Sequence, residues 1–117
     1  MISELKGKDY QILKCCVGST LKKLREENTD LTQHHVHTMN QANLSKIELG
    51  KRMISLQSLF EITVEYEANV VEVVTKIEGL FNKMKYEYKN TNIDDESLRL
   101  SINKRLNSEV KENEETN

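Results

Sequence analysis

Apolar side chains recur at intervals of three and four residues along most of this sequence, which is the spacing of amphipathic α-helices. The first such segment runs from Asp9 to Asn28 and ends in a basic turn, where the helix dipole favours cations. Its apolar face consists of Ile12, Leu13, Cys16, Val17, Thr20, Leu21 and Leu24. Because the chain contains no proline, long helices are permitted, and the pattern predicts an all-α fold.

Two short helices with their own N-caps are predicted next. Thr32 is a preferred N-cap residue for a helix over 33–39, and Asn40 is one for a helix that ends at Leu49. Gly50 follows directly, and glycine commonly ends a helix because it tolerates a positive φ. The pattern therefore predicts a pair of short helices in the middle of the chain.

Three further helices complete the predicted set. Ser55 is a preferred N-cap for a helix over 56–67, and Asn69 is one for a helix that starts at Val70. The spacing predicts an inner face for the first of these, formed by Leu56, Leu59, Phe60, Thr63 and Val64. A last helix is predicted over 95–112 from a stripe with a spacing of four residues, formed by Leu98, Ile102, Leu106 and Val110.

The helix that starts at Val70 carries a heptad-like seam. Its apolar positions alternate in spacing between four and three residues and are Val70, Val74, Ile77, Phe81, Met84 and Tyr88. Two interpretations fit this seam: it is the core face of the domain itself, or it joins two copies of the chain. The second predicts a homodimer interface at Val74, Ile77, Phe81, Met84 and Tyr88.

Charge is distributed unevenly along the chain, although the net charge is only −2. Residues 14–52 carry seven basic and four acidic side chains, which gives +3, whereas residues 53–117 carry eight and thirteen, which gives −5. The first thirteen residues are balanced. Positive potential is therefore expected around the two short helices, where a polyanion could bind.

Several kinds of chemistry are not indicated. The sequence shows no Ser-His-Asp arrangement, no glycine-rich phosphate loop and no paired carboxylates in a predicted pocket, so we expect neither an enzyme nor a cofactor. His34, His35 and His37 lack the paired spacing of a structural zinc site, so no metal is expected and they are interpreted as partly exposed histidines at a helix start.

Cys15 and Cys16 are adjacent and are interpreted as small buried side chains in a reducing compartment.

Neither a membrane span nor a signal peptide is predicted. No apolar run approaches the roughly 20 residues that cross a bilayer, and residues 1–16 lack the apolar centre of a secretory signal. The sequence therefore predicts a cytoplasmic protein without a membrane partner.

The helix after Asn40 begins with side chains suited to reading bases in a major groove. Gln41 and Asn43 each offer a donor and an acceptor to an adenine edge, and Ala42 is small enough to lie against a thymine methyl group. Lys46, one turn later, can reach guanine acceptors or a phosphate.

Four stretches of the sequence resemble the Cro/phage-repressor-type (XRE-like) helix-turn-helix family. They are residues 18–25, 31–33, 39–52 and 54–59, and within them Ser-Lys-Ile-Glu-Leu-Gly-Lys-Arg at 45–52 is fairly specific. The resemblance extends from about Gly18 to Val74. It implies a five-helix domain that binds double-stranded operator DNA as a homodimer and regulates transcription, in a cytoplasmic, nucleoid-associated setting of bacterial or phage type.

The resemblance also implies roles for individual residues. Base contacts are expected at Gln41, Ala42, Asn43 and Lys46. Phosphate contacts are expected at Gln33, Lys51 and Arg52, and the basic end of the first helix adds Lys22 as a phosphate candidate. Independently of the resemblance, Glu48 is expected to have a structural role, either pairing with a base such as Arg25 or capping a neighbouring helix.

One departure from the family pattern lies between Thr38 and Met39, where about three residues are missing and no glycine opens the turn. Either the first helix of the motif is one turn shorter, or the two helices of the motif meet at a different angle. In both cases the departure affects base contacts more than phosphate contacts.

The predicted organisation is an N-terminal segment over 1–8, a helix-turn-helix domain with an extended last helix over 9–89, and a C-terminal helix with a disordered acidic tail over 90–117. The predicted function is that of a sequence-specific transcriptional regulator that binds DNA through helix 40–49. The alternative is a protein-interaction module, such as an antitoxin or anti-repressor, that binds a protein partner through residues 90–117.

Overall fold

The structure is a computed structural model that describes the backbone of residues 7–116 and the side chains of residues 7–108. This part of the chain forms five α-helices and a single 3-10 turn. The helices are α1 (Gly7–Asn28), α2 (Gln41–Glu48), α3 (Leu56–Glu65), α4 (Val70–Tyr88) and α5 (Asp95–Thr116). No strand occurs among residues 7–116, so the predicted all-α class is confirmed. None of these helices is long and apolar enough to cross a lipid bilayer.

Helix α1 is the centre of the fold, because α2, α4 and α5 all pack against it. Its buried side chains therefore face several directions, and Ile12, Cys15, Cys16 and Leu21 have no exposed surface. The two thiols are free and buried, as the sequence predicts, and burial raises the pKa of Cys16 to about 12.

Two glycines allow α1 and α2 to approach closely. A Cβ atom on Gly18 would overlap the carbonyl oxygen of Ile47, so only glycine fits at this crossing. Gly50 ends α2 with a φ of +74°, and a Cβ atom there would lie 2.7 Å from the Cys15 sulfur. Gly50 is the helix stop that the sequence predicts, and Gly18 leaves the space that the crossing of α1 and α2 needs.

Three of the predicted N-caps form. The side-chain oxygen of Asn40 accepts the Asn43 backbone N–H at 2.8 Å, Ser55 accepts that of Ser58 at 3.1 Å, and Asn69 caps α4 in the same way. These bonds join residues three positions apart or fewer, which explains why they could be predicted from local sequence.

The predicted helix over 33–39 is wrong. Only a single 3-10 turn, Gln33–His35, is present, and the Thr32 hydroxyl contacts the His35 ring instead of capping the backbone. The chain then turns into extended backbone at Val36, whose side chain is buried. With about three residues missing, the segment is too short for a full helix before it must reach the start of α2.

Helix α3 buries a narrower face than the spacing predicts. Leu59 and Thr63 are buried as expected, together with Ile62. Leu56, Phe60 and Val64, however, are 70%, 51% and 77% exposed, so their predicted place on the inner face is wrong. Because apolar residues occupy two sides of α3, spacing alone did not identify the side that the other helices cover.

The seam on α4 is mainly the domain's own core, which is one of the two interpretations the sequence allows. Ile77 and Met84 are buried by other residues of the same chain. These two side chains of the predicted interface are therefore not available to a second copy. Phe81 and Tyr88 are half-buried against the same core, whereas Val74 is 46% exposed.

Helix α5 packs back onto α1 through its predicted stripe. Leu98 and Ile102 are buried and Leu106 is half-buried against the core. The backbone helix continues to Thr116, beyond the end predicted at residue 112. The side chains from position 109 onward lie outside the described residues, and so does the predicted segment 1–8 as far as residue 6.

Candidate nucleic-acid interface

Helix α2 presents one polar face to solvent and one apolar face to the protein. Leu44 and Ile47 are buried against α1, whereas Gln41, Ala42 and Lys46 are exposed. No described part of the chain, α5 included, covers these three side chains. The arrangement leaves the leading turn of α2 accessible, as insertion into a major groove requires.

Asn43 lies at the edge of this exposed face and is already engaged. Its side-chain oxygen accepts a hydrogen bond from Arg52 Nη1 at 2.6 Å, and its amide nitrogen lies 3.5 Å from the Met39 sulfur. The structure therefore joins a predicted base contact to a predicted phosphate contact. Without DNA, Arg52 fixes the orientation of the Asn43 amide.

A buried ion pair holds α2 in place. Arg25 Nε donates to Glu48 Oε2 at 2.9 Å and Arg25 Nη2 donates to Oε1 at 3.0 Å, and both side chains are more than nine-tenths buried. Hydrogen bonding to Glu48 raises the pKa of the Arg25 guanidinium and outweighs the opposing effect of burial. The structural role expected for Glu48 is present, and it links α1 to the C-terminal end of α2.

Gln33 joins the same network from the 3-10 turn. Its side-chain nitrogen donates to Glu48 Oε1 at 2.7 Å. Arg25 Nη1 in addition donates to the Leu31 carbonyl oxygen at 3.0 Å. The predicted phosphate ligand Gln33 is therefore half-buried at the inner end of α2, with its donor directed to a carboxylate.

The remaining predicted phosphate ligands lie in two places. Lys51 and Arg52 are exposed just beyond Gly50, next to the C-terminal end of α2. Lys22 instead lines a groove between α1 and α5 that includes Asn103 and Asn107. The structure brings the first two together with α2 and associates Lys22 with α5.

Glu65, the last residue of α3, is a residue that sequence reasoning missed. Its carboxylate accepts the backbone N–H groups of His37 and Thr38, at 2.6 and 2.9 Å, and the Thr38 hydroxyl at 2.7 Å. Burial raises the pKa of Glu65, but these hydrogen bonds outweigh it and hold the pKa below its ordinary value. The only sequence signal was an acidic side chain at a helix C-terminus, where the dipole disfavours it.

The three histidines do not form a metal centre with other side chains. His34 and His35 are exposed and pack edge to face, with ring centroids 5.3 Å apart. Within the described side chains, no group of three or more His, Cys, Asp or Glu residues could hold a metal ion.

The accessible polar helix α2, which follows a single 3-10 turn, corresponds to the recognition helix of a helix-turn-helix protein. The chain is 36% identical to the control protein C.MunI of a Mycoplasma species in an alignment of 69 residues, and the match covers 56% of this chain and 93% of that protein. No family model matches the chain, and no solved structure matches it.

The chain belongs to the family of C.MunI, the XRE-like helix-turn-helix control proteins. It is a DNA-binding transcriptional regulator and not an enzyme. The resemblance found in the sequence is thereby confirmed. The match accounts for little more than half of the chain.

Proposed function

We propose that this protein binds an operator in duplex DNA as a homodimer, through α2, and thereby regulates restriction–modification genes in the cytoplasm. The observation that carries the proposal is the accessibility of Gln41, Ala42 and Lys46, opposite a face of α2 that is firmly buried. A helix held in this way can enter a groove without unpacking the domain.

Base recognition is assigned to the exposed turn of α2. Gln41 can bond an adenine edge with both its donor and its acceptor, Ala42 can contact a thymine methyl group, and Lys46 can reach guanine or a phosphate. Asn43 contributes either by exchanging Arg52 for a base or by reading the base while Arg52 holds its oxygen.

Phosphate binding is assigned first to Lys51 and Arg52, which flank α2 and are exposed. Gln33 is a weaker candidate, because its amide nitrogen already donates one N–H to Glu48 and only the second can reach a phosphate. Lys22 can take part only if the duplex extends over the groove between α1 and α5. We therefore expect Lys51 and Arg52 to dominate the salt-dependent part of the affinity.

The homodimer is assigned to an apolar surface on α3 and α4. Leu56, Phe60 and Val64 lie four residues apart along α3, and Val71 and Val74 lie three apart on α4; all are between 46% and 77% exposed. Exposed apolar side chains that recur on two packed helices mark a candidate contact surface for another protein. A second copy on it would bury this surface and supply the second α2 for the next major groove, about 34 Å away.

The interaction-module alternative receives no comparable support. Its predicted partner site is the segment from residue 90 onward, but Leu98 and Ile102 of that segment are already buried against the chain's own core. A partner would have to displace α5 to use these side chains.

The proposal can be tested by selecting bound sequences from a randomised duplex pool and titrating the enriched duplex with variants of the full chain. Gln41→Ala and Lys46→Ala should each weaken binding by about 1–3 kcal/mol, measured by fluorescence anisotropy. Lys104→Ala, an exposed lysine on α5, is the matched control and should bind like the wild type. Enrichment of no sequence, or wild-type affinity in both α2 variants, would contradict the proposal.

A further inference from the structure

The link between the 3-10 turn and α2 lacks the hydrogen bonds that a helix would provide. After Gln33–His35 the chain runs through Val36 to Asn40 without helical structure. Backbone N–H groups in such a segment have no helical acceptor, so a side chain must supply one if the segment is to be held in a single conformation. The shortened motif therefore creates a need for acceptors at His37 and Thr38.

The Glu65 carboxylate meets this need with both of its oxygens. Oε2 accepts the His37 N–H at 2.6 Å, and Oε1 accepts the Thr38 N–H at 2.9 Å and the Thr38 hydroxyl at 2.7 Å. Hydrogen bonds to an ionised acceptor are shorter and about twice as strong as neutral ones. A single side chain from α3 thus replaces the missing turn of helix as the partner of this segment.

The core fixes the backbone from which this carboxylate projects. Glu65 is followed by Tyr66, which has no exposed surface. The turn after α3 is closed by the Ala68 N–H, which donates to the Thr63 carbonyl oxygen at 2.8 Å. The backbone of Glu65 therefore cannot shift without moving the end of α3 and the buried ring of Tyr66.

The segment that Glu65 holds leads directly into α2. Thr38 is two residues before Asn40, whose side chain caps α2 by accepting the Asn43 N–H at 2.8 Å. We propose that Glu65 is a positioning residue for DNA recognition, which fixes where α2 begins and hence where Gln41 enters the groove. This inference rests on the proposed function and adds to it a residue that does not contact DNA.

Glu65→Gln is the central test, because the amide keeps the shape but places an NH2 group against backbone donors. Glu61→Gln is the matched control: Glu61 is exposed one turn earlier on α3, and its carboxylate accepts from the neighbouring Gln57 Nε2 at 2.8 Å and not from the segment before α2. If Glu65→Gln does not fold, the same contact can be tested by comparing Thr38→Val with Thr38→Ser. Only the serine variant retains the hydroxyl that donates to Glu65.

Two measurements separate a positioning role from general destabilisation. In the DNA-free protein, amide NMR should show faster hydrogen exchange at His37 and Thr38 and shifted signals at residues 41–43. Affinity for the duplex enriched from the random pool should fall about tenfold, a loss of about 1.4 kcal/mol, because the variant must order this segment before α2 fits the groove. Affinity for an unselected duplex of equal length should change by less than about twofold, since phosphate contacts carry that binding.

The possible results are distinct. Glu61→Gln should match the wild type in both measurements. Wild-type exchange and wild-type affinity in Glu65→Gln would overturn the inference, and so would an equal loss on both duplexes. If the wild type enriches no sequence, the proposed function fails, whereas unchanged amide signals at residues 41–43 would separately reject the role of Glu65 in placing α2.

Discussion

At the residue scale, the ion pair between Arg25 and Glu48 determines how α2 is held. It joins the end of α1 to the end of α2, and Gln33 adds the 3-10 turn to the same carboxylate. The pairing of these two charges could be predicted from the sequence, because Arg25 and Glu48 each lie in a predicted helix with an apolar face. The attachment of Gln33 could not be, since it joins residues fifteen positions apart through a turn that the spacing did not predict.

Substituting Glu48 should be strongly destabilising. Glu48→Ala leaves the buried Arg25 guanidinium without its acceptor, and breaking a buried pair in this way costs about 3–5 kcal/mol. Urea denaturation of the DNA-free protein measures the loss, with Glu61→Ala as an exposed control on α3. A loss below about 1 kcal/mol, the range of surface ion pairs, would show that the pair does not hold α2.

Helix caps and the Glu65 contact mark the limits of prediction at this scale. Asn40, Ser55 and Asn69 were predictable because each caps a backbone N–H within three positions of itself. Glu65 contacts residues 27 and 28 positions away. Only the packing of α3 beside the shortened turn brings these groups together.

At the element scale, α3 shows how a helix can carry two apolar faces. Leu59 and Ile62 complete the core, and Val64 belongs to the exposed surface that we assign to a second copy. The spacing of apolar residues predicted a helix correctly, but it placed Leu56, Phe60 and Val64 on the buried face, where the structure has them exposed. The choice between the two faces depends on where α1 and α4 lie.

A charge placed on the exposed face should prevent dimerisation. Val64→Glu introduces a carboxylate at a position that is 77% exposed in one copy and buried in the proposed dimer. Burying an unpaired charge is unfavourable, so we expect self-association to weaken at least about tenfold, a shift of about 1.4 kcal/mol. Analytical ultracentrifugation measures this, and Leu100→Glu on α5 is the control with a similarly exposed leucine. Equal dissociation constants for the two variants would place the interface elsewhere.

Helix α5 is part of the domain's core and not a separate appendage. Ile102 has no exposed surface, whereas Leu100 on the same helix is 53% exposed. Ile102→Ala should therefore destabilise the protein by about 2–5 kcal/mol, while Leu100→Ala should change stability by no more than about 0.5 kcal/mol. Thermal and urea unfolding of both variants test the difference. Similar losses for the two would mean that α5 is not packed as described.

At the scale of the whole molecule, charge is separated along the chain. The stretch with an excess of basic residues, 14–52, includes α2 and the exposed Lys51 and Arg52, whereas the acidic excess belongs to residues 53–117. A net charge of −2 is therefore compatible with binding a polyanion. The affinity should depend on local potential and decrease as salt increases.

Removing the two flanking cations should reduce this salt dependence. Lys51→Ala combined with Arg52→Ala should weaken binding to all duplexes, and the log–log slope against salt should fall by about 0.9 for each phosphate that the variant no longer neutralises. Titrations of the enriched and of an unselected duplex at several salt concentrations measure the slope. Lys104→Ala is the control, and an unchanged slope in the double variant would exclude these residues as phosphate ligands.

The sequence by itself determined what depends on neighbours a few positions away: the helical class, the capped starts of α2, α3 and α4, the glycine stop at Gly50 and the exposed polar turn of α2. These features follow from helix periodicity and short-range hydrogen bonds. Only the tertiary structure decided which apolar faces are covered, how the shortened motif is held by Glu65 and where α5 packs. Those outcomes depend on contacts between residues far apart in the chain, whose geometry exists only after the helices have packed.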